Sequence, residues 1–235
     1  MTHYKLIILV IASRNKIYDG FITDMWKPII EYSKKNHPEV LIKLLFNNIP
    51  TDDLKMEDDI LKYSYTENFI PGILNKTLDS IEYCNKNFTY DYIFRTNLSS
   101  FIIIDRIVKL VDTFEKTNVY KGIKMPWKSS LSYCSGAGFF LSNDLANYII
   151  NFKHKLDYSL FDDVSIGYLL TTFIDTKKCS MFSIIMKDDT ILNDTYFSNI
   201  NTYINNNNIY HVRLRNKERK NDVIIAIQLV KMFYT

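Results

Sequence analysis

The chain has 235 residues, 47% of them hydrophobic, and its 29 basic and 26 acidic side chains leave a formal charge of +3. That apolar content is enough for one large α/β unit or two small ones and excludes a disordered chain. The near balance of charge gives no electrostatic footprint for nucleic acid or an anionic membrane, while a mildly basic cleft for a small anion stays open.

In chain order, "YKLIILVIASRN" is a continuous apolar run ending in small and polar residues, as a central parallel strand does where it meets a functional loop. Phe21 to Lys35 reads as a helix, with Pro28 near its first turn or at a kink. Glu39 to Phe46 is a second strand. After an acidic loop Pro71 marks a helix start, and Leu74, Leu78 and Ile81 recur at helical spacing. "YDYIFRTNLSSF", Tyr90 to Phe101, begins as a buried strand and ends in a crowd of hydrogen-bonding groups without a carboxylate. Ile103 to Phe114 is helical, and Asn118 to Pro126 is a short strand. "SGAGFFLSNDLANYII" reads as a Gly-rich turn, a strand and a helix capped by Ser142. Asp162 to Phe173 forms a helix with an acidic start, Cys179 to Met186 and Ile209 to Asn216 form strands, and Val223 to Tyr234 closes with a helix. Asn47 to Asp59 and Lys187 to Asn208 read as loops.

Strands alternate with helices through the first two thirds, without an internal repeat or a Pro- or Gly-rich linker. The expectation is a single domain over 1–235, a mixed sheet flanked by helices, with a nucleotide-binding half (1–117) and an acceptor-side half (118–235). Cys84, Cys134 and Cys179 lack metal-ligand spacing and read as reduced core thiols in a cytoplasmic protein. The run Leu6 to Ala12 is far short of the roughly 20 residues that span a bilayer, so no membrane anchor is expected.

Open parallel sheets bind ligands beyond the carboxyl ends of their strands. That rule selects Ser13, Arg14 and Asn15 after the first strand and Arg95 to Ser99 after the fourth. A guanidinium fork matches phosphate oxygens, so Arg14 and Arg95 are candidates for clamping a diphosphate. Gly136 and Gly138 suit either a tight turn or close approach of a ligand to the backbone. Asp162 and Asp163 open a helix and read either as N-terminal capping alone or as one cap with the other projecting into the cleft as a general base. His211 reads as a ligand, a phosphate partner or a structural histidine. No P-loop, GxGxxG or HExxH is present.

Taken in order, "YDYIFRT" leading into "NLSSF", "SGAGFFLS" (Ser135 to Ser142), "DDVSIG" (Asp162 to Gly167) and "YH" (Tyr210, His211) resemble the motifs of fringe-like and β-1,3-galactosyltransferase-like glycosyltransferases. The resemblance covers Tyr90 to Arg213 and implies the GT-A fold. It further implies an inverting transferase that moves a sugar from a nucleotide-diphospho-sugar, a UDP-sugar, to a hydroxyl of a glycan or protein acceptor. Carried onto this chain, it makes Asp163 the base and Asp162 its support. Gly136, Ala137 and Gly138 would lie against a sugar, and Ala12, Ser13 and Arg14 near the nucleotide. Arg95, Thr96, Asn97 and Ser99 would stand at the donor diphosphate, with His211 as a late metal ligand for Mn²⁺ or Mg²⁺. The heavy use of Asn, Ile, Lys and Tyr suits an AT-rich source, hence a viral member in a host cytoplasm. One departure stands out: Asn97, Leu98 and Ser99 occupy the places of the family's three aspartates, and hard cations prefer anionic oxygen ligands. Two outcomes are open. Arg95, with Arg14 or Arg213, neutralises the leaving diphosphate without metal, or the fold has lost catalysis and only binds nucleotide sugar or carbohydrate.

Overall fold

In the computed structural model, which describes residues 1–235 apart from 15, 17, 48–55, 67, 127–131, 175–176, 179–181 and 185–191, the first apolar run becomes the central strand β1 (Thr2–Ile11). Leu6, Ile8 and Val10 enter one hydrophobic cluster, and Ile7, Leu9 and Ile11 enter another. Side chains alternate across a strand, so burial on both faces demands an unbroken apolar run.

Helix α1 (Asp19–Phe21), a π turn (Ile22–Trp26) and α2 (Lys27–Asn36) follow without a break, with Pro28 in the first turn of α2. The chain continues through β2 (Val40–Asn47), a 3₁₀ turn (Glu57–Asp59), β3 (Ile60–Tyr63), α3 (Gly72–Asn87) and β4 (Phe88–Asn97). Next come β5 (Ser100–Ile102), α4 (Ile104–Val111), β6 (Tyr120–Pro126), β7 (Ser132–Ser142), α5 (Asn143–Asn151) and α6 (Asp162–Leu170). The last part holds β8 (Lys177–Lys178), β9 (Phe182–Ile184), α7 (Asp194–Asn206), β10 (His211–Leu214) and α8 (Arg219–Tyr234).

Seven strands form a mixed sheet in the order β3-β2-β1-β4-β7-β6-β8. The first four are mutually parallel, and β7 runs antiparallel to both β4 and β6. A second sheet has the order β5-β10-β9. One face of the main sheet is covered by α2, α4, α7 and α8, the other by α3, α5 and α6. The mixed sheet and its flanking helices are as expected. The chain leaves β1 toward β2 on one side and returns to β4 on the other, so a crevice opens where Ile11 stands beside Asn97.

Several local expectations are corrected. "SGAG" is not a turn: Ser135 to Gly138 lie inside β7, with Gly138 paired to Thr96. A Cβ at Gly138 would come within 2.6 Å of Phe94 and 2.7 Å of His211, so the glycine answers to packing across the sheet. Ser142 stands at the N-cap of α5 without a capping bond of its own; its Oγ accepts from Val119 N–H at 2.9 Å. Within the expected loop after Lys187, α7 is a helix of 13 residues, capped by Asn193 Oδ1 accepting from Tyr196 N–H at 2.9 Å. Of the expected strand Cys179 to Met186, β9 accounts for Phe182–Ile184, and Cys179 to Met181, Ile185 and Met186 lie outside the described residues, as does Asn15. Cys84 and Cys134 are buried and form no disulfide. Among the described residues no helix is long and apolar enough to cross a membrane.

The end of β4 is fixed from two directions. Leu98 N–H donates to Ile11 O at 3.2 Å, and the buried indole of Trp26 donates from Nε1 to Leu98 O at 2.9 Å. Trp26→Phe leaves that carbonyl without its donor. The expected loss is about 1–3 kcal/mol in equilibrium denaturation.

Candidate active site

A cleft of about 510 Å³ lies at the carboxyl ends of β1 and β4. Ala12, Ser13 and Arg14 line it after β1, and Arg95, Asn97, Leu98 and Ser99 line it along β4 and beyond. The floor under β1 is braced from α3, where the buried Lys76 donates from Nζ to Ala12 O at 2.8 Å. Arg213 from β10 and Arg219 from the start of α8 complete a wall of four arginines, and among the described residues no carboxylate lines the cleft.

The four differ in how their charge is met. Arg14 Nε donates to Asp19 Oδ1 at 3.0 Å, and Arg219 Nη1 to the fully buried Asp222 at 2.6 Å. Arg95 Nη2 pairs with Asp162 Oδ2 at 2.7 Å, both side chains almost wholly buried. Arg213 is held by neutral groups: its Nη1 donates to Asn97 Oδ1 and to Ser99 Oγ. Burial, and then the nearby charges of Arg219 and Arg95, bring its guanidinium down to about 10, still protonated at neutral pH.

Behind this wall β7 brings the glycine-containing segment against the end of β4. Arg95 Nη1 and Asn97 Nδ2 both donate to Gly136 O, the latter at 3.0 Å, and Thr96 Oγ1 donates to Ala137 O at 2.7 Å. Gly136 is also where α6 arrives, because its N–H donates to Asp163 Oδ2 at 2.6 Å. A Cβ there would lie 3.0 Å from that carboxylate oxygen and 3.1 Å from Arg95 Nη1, so only glycine lets the two approach without displacement. Burial, then the neighbouring charge of Asp162, pushes the Asp163 carboxyl above the ordinary range, against the pull of Gly136 N–H and Arg95. Asp162 accepts from Thr77 Oγ1 at 3.2 Å besides Arg95. Neither aspartate caps α6 in the expected way; Phe161 is the N-cap residue.

The structure therefore brings Ala12, Ser13, Arg14, Arg95, Asn97 and Ser99 together in one cleft, and sets Thr96, Gly136, Ala137, Asp162 and Asp163 directly behind it. Gly138 and His211 stand apart from its lining. His211 is buried with its ring edge-on to Phe94 at 5.6 Å, and burial followed by the Arg213 charge lowers it to about 3, a neutral imidazole at physiological pH. Sequence reasoning did not select Tyr18, Asn68, Phe69, Ile73 or Arg219. For Arg219 a signal existed in the basic run "RLRNKERK", Arg213 to Lys220.

The described residues do not fit a divalent cation. Among the described residues no group of three or more His, Cys, Asp or Glu comes together. The amide and hydroxyl of Asn97 and Ser99 are neutral oxygen donors and already hold a guanidinium.

Residues 114–180, which contain both the "SGAG" and "DDVSIG" segments, match the model of the galactosyltransferase family. A glycosyltransferase involved in glycosylation of the major capsid of PBCV-1 is similar in structure at a TM-score of 0.54 and 10% identity, over 94% of this chain and 98% of that one. The galactosyltransferase LgtC, in complex with donor and acceptor sugar analogs, aligns at 0.49 and 8% identity over 94% and 95% of the two chains. A Drosophila β1,4-galactosyltransferase 7 mutant in complex with manganese, UDP-Gal and xylobiose aligns at 0.43 and 10% identity over 74% and 64%. No curated protein matches the chain in sequence. The chain therefore has the GT-A fold of the first of these structures, and residues 114–180 carry a segment that matches the galactosyltransferase family.

Proposed function

We propose that this protein moves a sugar from a nucleotide-diphospho-sugar, a UDP-sugar foremost, to a hydroxyl of a glycan or protein acceptor, with inversion at the anomeric carbon. The observation that carries this reading is a cleft at the β1/β4 crossover lined, among the described residues, by four arginines and no carboxylate, with Asp163 one glycine behind it. Planar guanidinium groups suit phosphate oxygens, and a cleft of this volume suits a nucleotide sugar.

In the reaction the acceptor oxygen bonds to the anomeric carbon as the bond from that carbon to the phosphate oxygen breaks. The electron pair leaves with the nucleoside diphosphate, and the acceptor proton passes to Asp163. A carboxylate whose proton affinity is raised by burial is suited to that transfer near neutral pH. Asp162 is committed to Arg95 and Thr77, which among the described residues beside Gly136 leaves Asp163 as the available carboxylate. One base with no second free carboxylate beside it among the described residues supports single displacement, and hence inversion, over a covalent intermediate.

Thermal-shift screening with nucleotide sugars, followed by assay of nucleoside diphosphate release, tests the reading. Stabilisation by none of them overturns it, and binding without turnover across a broad acceptor panel makes the protein a carbohydrate-recognition module instead. Asp163→Asn is expected to lower transfer by a factor on the order of 10² to 10⁴ with nucleotide affinity near normal; unchanged turnover would remove Asp163 as the base.

The raised Asp163 pKa also fixes two pH effects. The acid limb of the kcat/KM profile is expected above the usual carboxylate value of about 3.9, because the base must be ionised. For stability the sign is opposite. The folded state holds this proton more tightly than the unfolded chain does, so the contribution is complete below the unfolded pKa and disappears as pH rises through the folded one. Denaturation of Asp163→Asn across that window should show the variant gaining on the wild type as pH increases.

A further inference from the structure

Arg213 differs from the other arginines of the cleft in a way that suits it to a specific task. Arg14, Arg95 and Arg219 each face a carboxylate, whereas Arg213 rests on an amide oxygen and a hydroxyl. Neutral acceptors fix a guanidinium without cancelling its charge. Both contacts use one nitrogen, Nη1, and among the described residues Nε and Nη2 make no protein hydrogen bond, while the side chain lines the cleft. A guanidinium carries five N–H donors in a fixed fork, so donors remain for an anion.

The two acceptors matter as much as the arginine. Asn97 ends β4, and Ser99 immediately precedes β5, which pairs with β10 in antiparallel register, Arg213 opposite Ser100. Asn97 is tied to Gly136 O, and Leu98 between them to Trp26 and Ile11. The cradle under Arg213 is therefore rigid, and its charge is delivered to one place at the sheet crossover.

We propose that Arg213 is the built-in cation of the donor site: seated on Asn97 and Ser99, it binds the diphosphate oxygens directly, so that donor binding and transfer need no divalent metal. This rests on the nucleotide-sugar reading above. On departure the diphosphate takes the electron pair of the broken carbon–oxygen bond, and the fixed positive charge meets the negative charge that develops there. Carboxylates at 97 and 99 would instead neutralise Arg213, which gives the amide and hydroxyl a positive role.

The test is calorimetric titration of UDP, GDP, CDP and ADP, with uridine as the phosphate-free control, in excess EDTA and again in Mn²⁺ or Mg²⁺. The expected result is diphosphate binding, and transfer, unchanged by chelation. Arg213→Met is expected to weaken the bound diphosphate on the order of 10- to 100-fold while leaving uridine affinity intact, and Arg213→Lys to recover part of the loss. Binding abolished by EDTA and restored by Mn²⁺ overturns the inference and leaves the donor reading standing. So does an Arg213→Met variant with unaltered UDP affinity, or one that loses uridine and UDP equally while remaining folded by circular dichroism. Absence of binding by every nucleoside diphosphate, with and without metal, overturns the donor reading itself. The chelation experiment uses the unaltered protein and decides the matter even where a variant fails to fold.

Discussion

The buried ion pair between Arg95 and Asp162 is the constraint on which the site depends. Two charges taken out of water lose hydration that their attraction recovers only with good geometry and further hydrogen bonds. Here both partners have them: Arg95 also donates to Gly136 O, and Asp162 accepts from Thr77. The pair thereby locks β4, β7, α3 and α6 at a single point. If α6 shifted, Asp162 would leave a guanidinium buried without its counter-charge, and Asp163 beside it would move off Gly136. The position of the proposed base is set by its neighbour's electrostatics more than by helix propensity.

The same pair divides the work among charged groups. Asp162 supplies the counter-charge for Arg95 and, by repulsion, helps hold the Asp163 carboxyl above its usual range. Arg95, so compensated, serves the framework as much as the cleft. Net positive character at the crossover falls to Arg213, whose acceptors are uncharged. Adjacent aspartates and arginines of the same chemical type thus acquire different duties from burial and partners alone.

Much of the central architecture was legible in the sequence because its cause is local. β1 had to be buried on both faces once its apolar run was continuous, and the Leu74, Leu78, Ile81 spacing permitted only an amphipathic helix. What escaped depends on residues far apart in the chain. "SGAG" has the composition of a turn, and only the proximity of Arg95, Phe94, Asp163 and His211 shows why glycines stand inside a strand. The Asn-rich α7 has weak intrinsic helix preference, and its apolar positions Ile200 and Ile204 gain their stability from the tertiary core. Of the candidate site, the residues that the sequence singles out at the ends of β1 and β4 line the cleft, whereas the arginine from α8 lines it without having been singled out. A basic run carries no direction until the strand before it is placed.

The three-stranded sheet has a consequence for the order in which the molecule becomes competent. Its middle strand, β10, is contributed near the end of the chain, yet it pairs with β5 from the middle and delivers Arg213 onto Asn97 and Ser99. During synthesis the main sheet through β7 can assemble while β10 is still unmade. The crevice then exists as a shape without its last two arginines. An emerging chain would hold the framework of the cleft before it holds the full set of arginines, and the two would become coincident only when β10 and α8 dock.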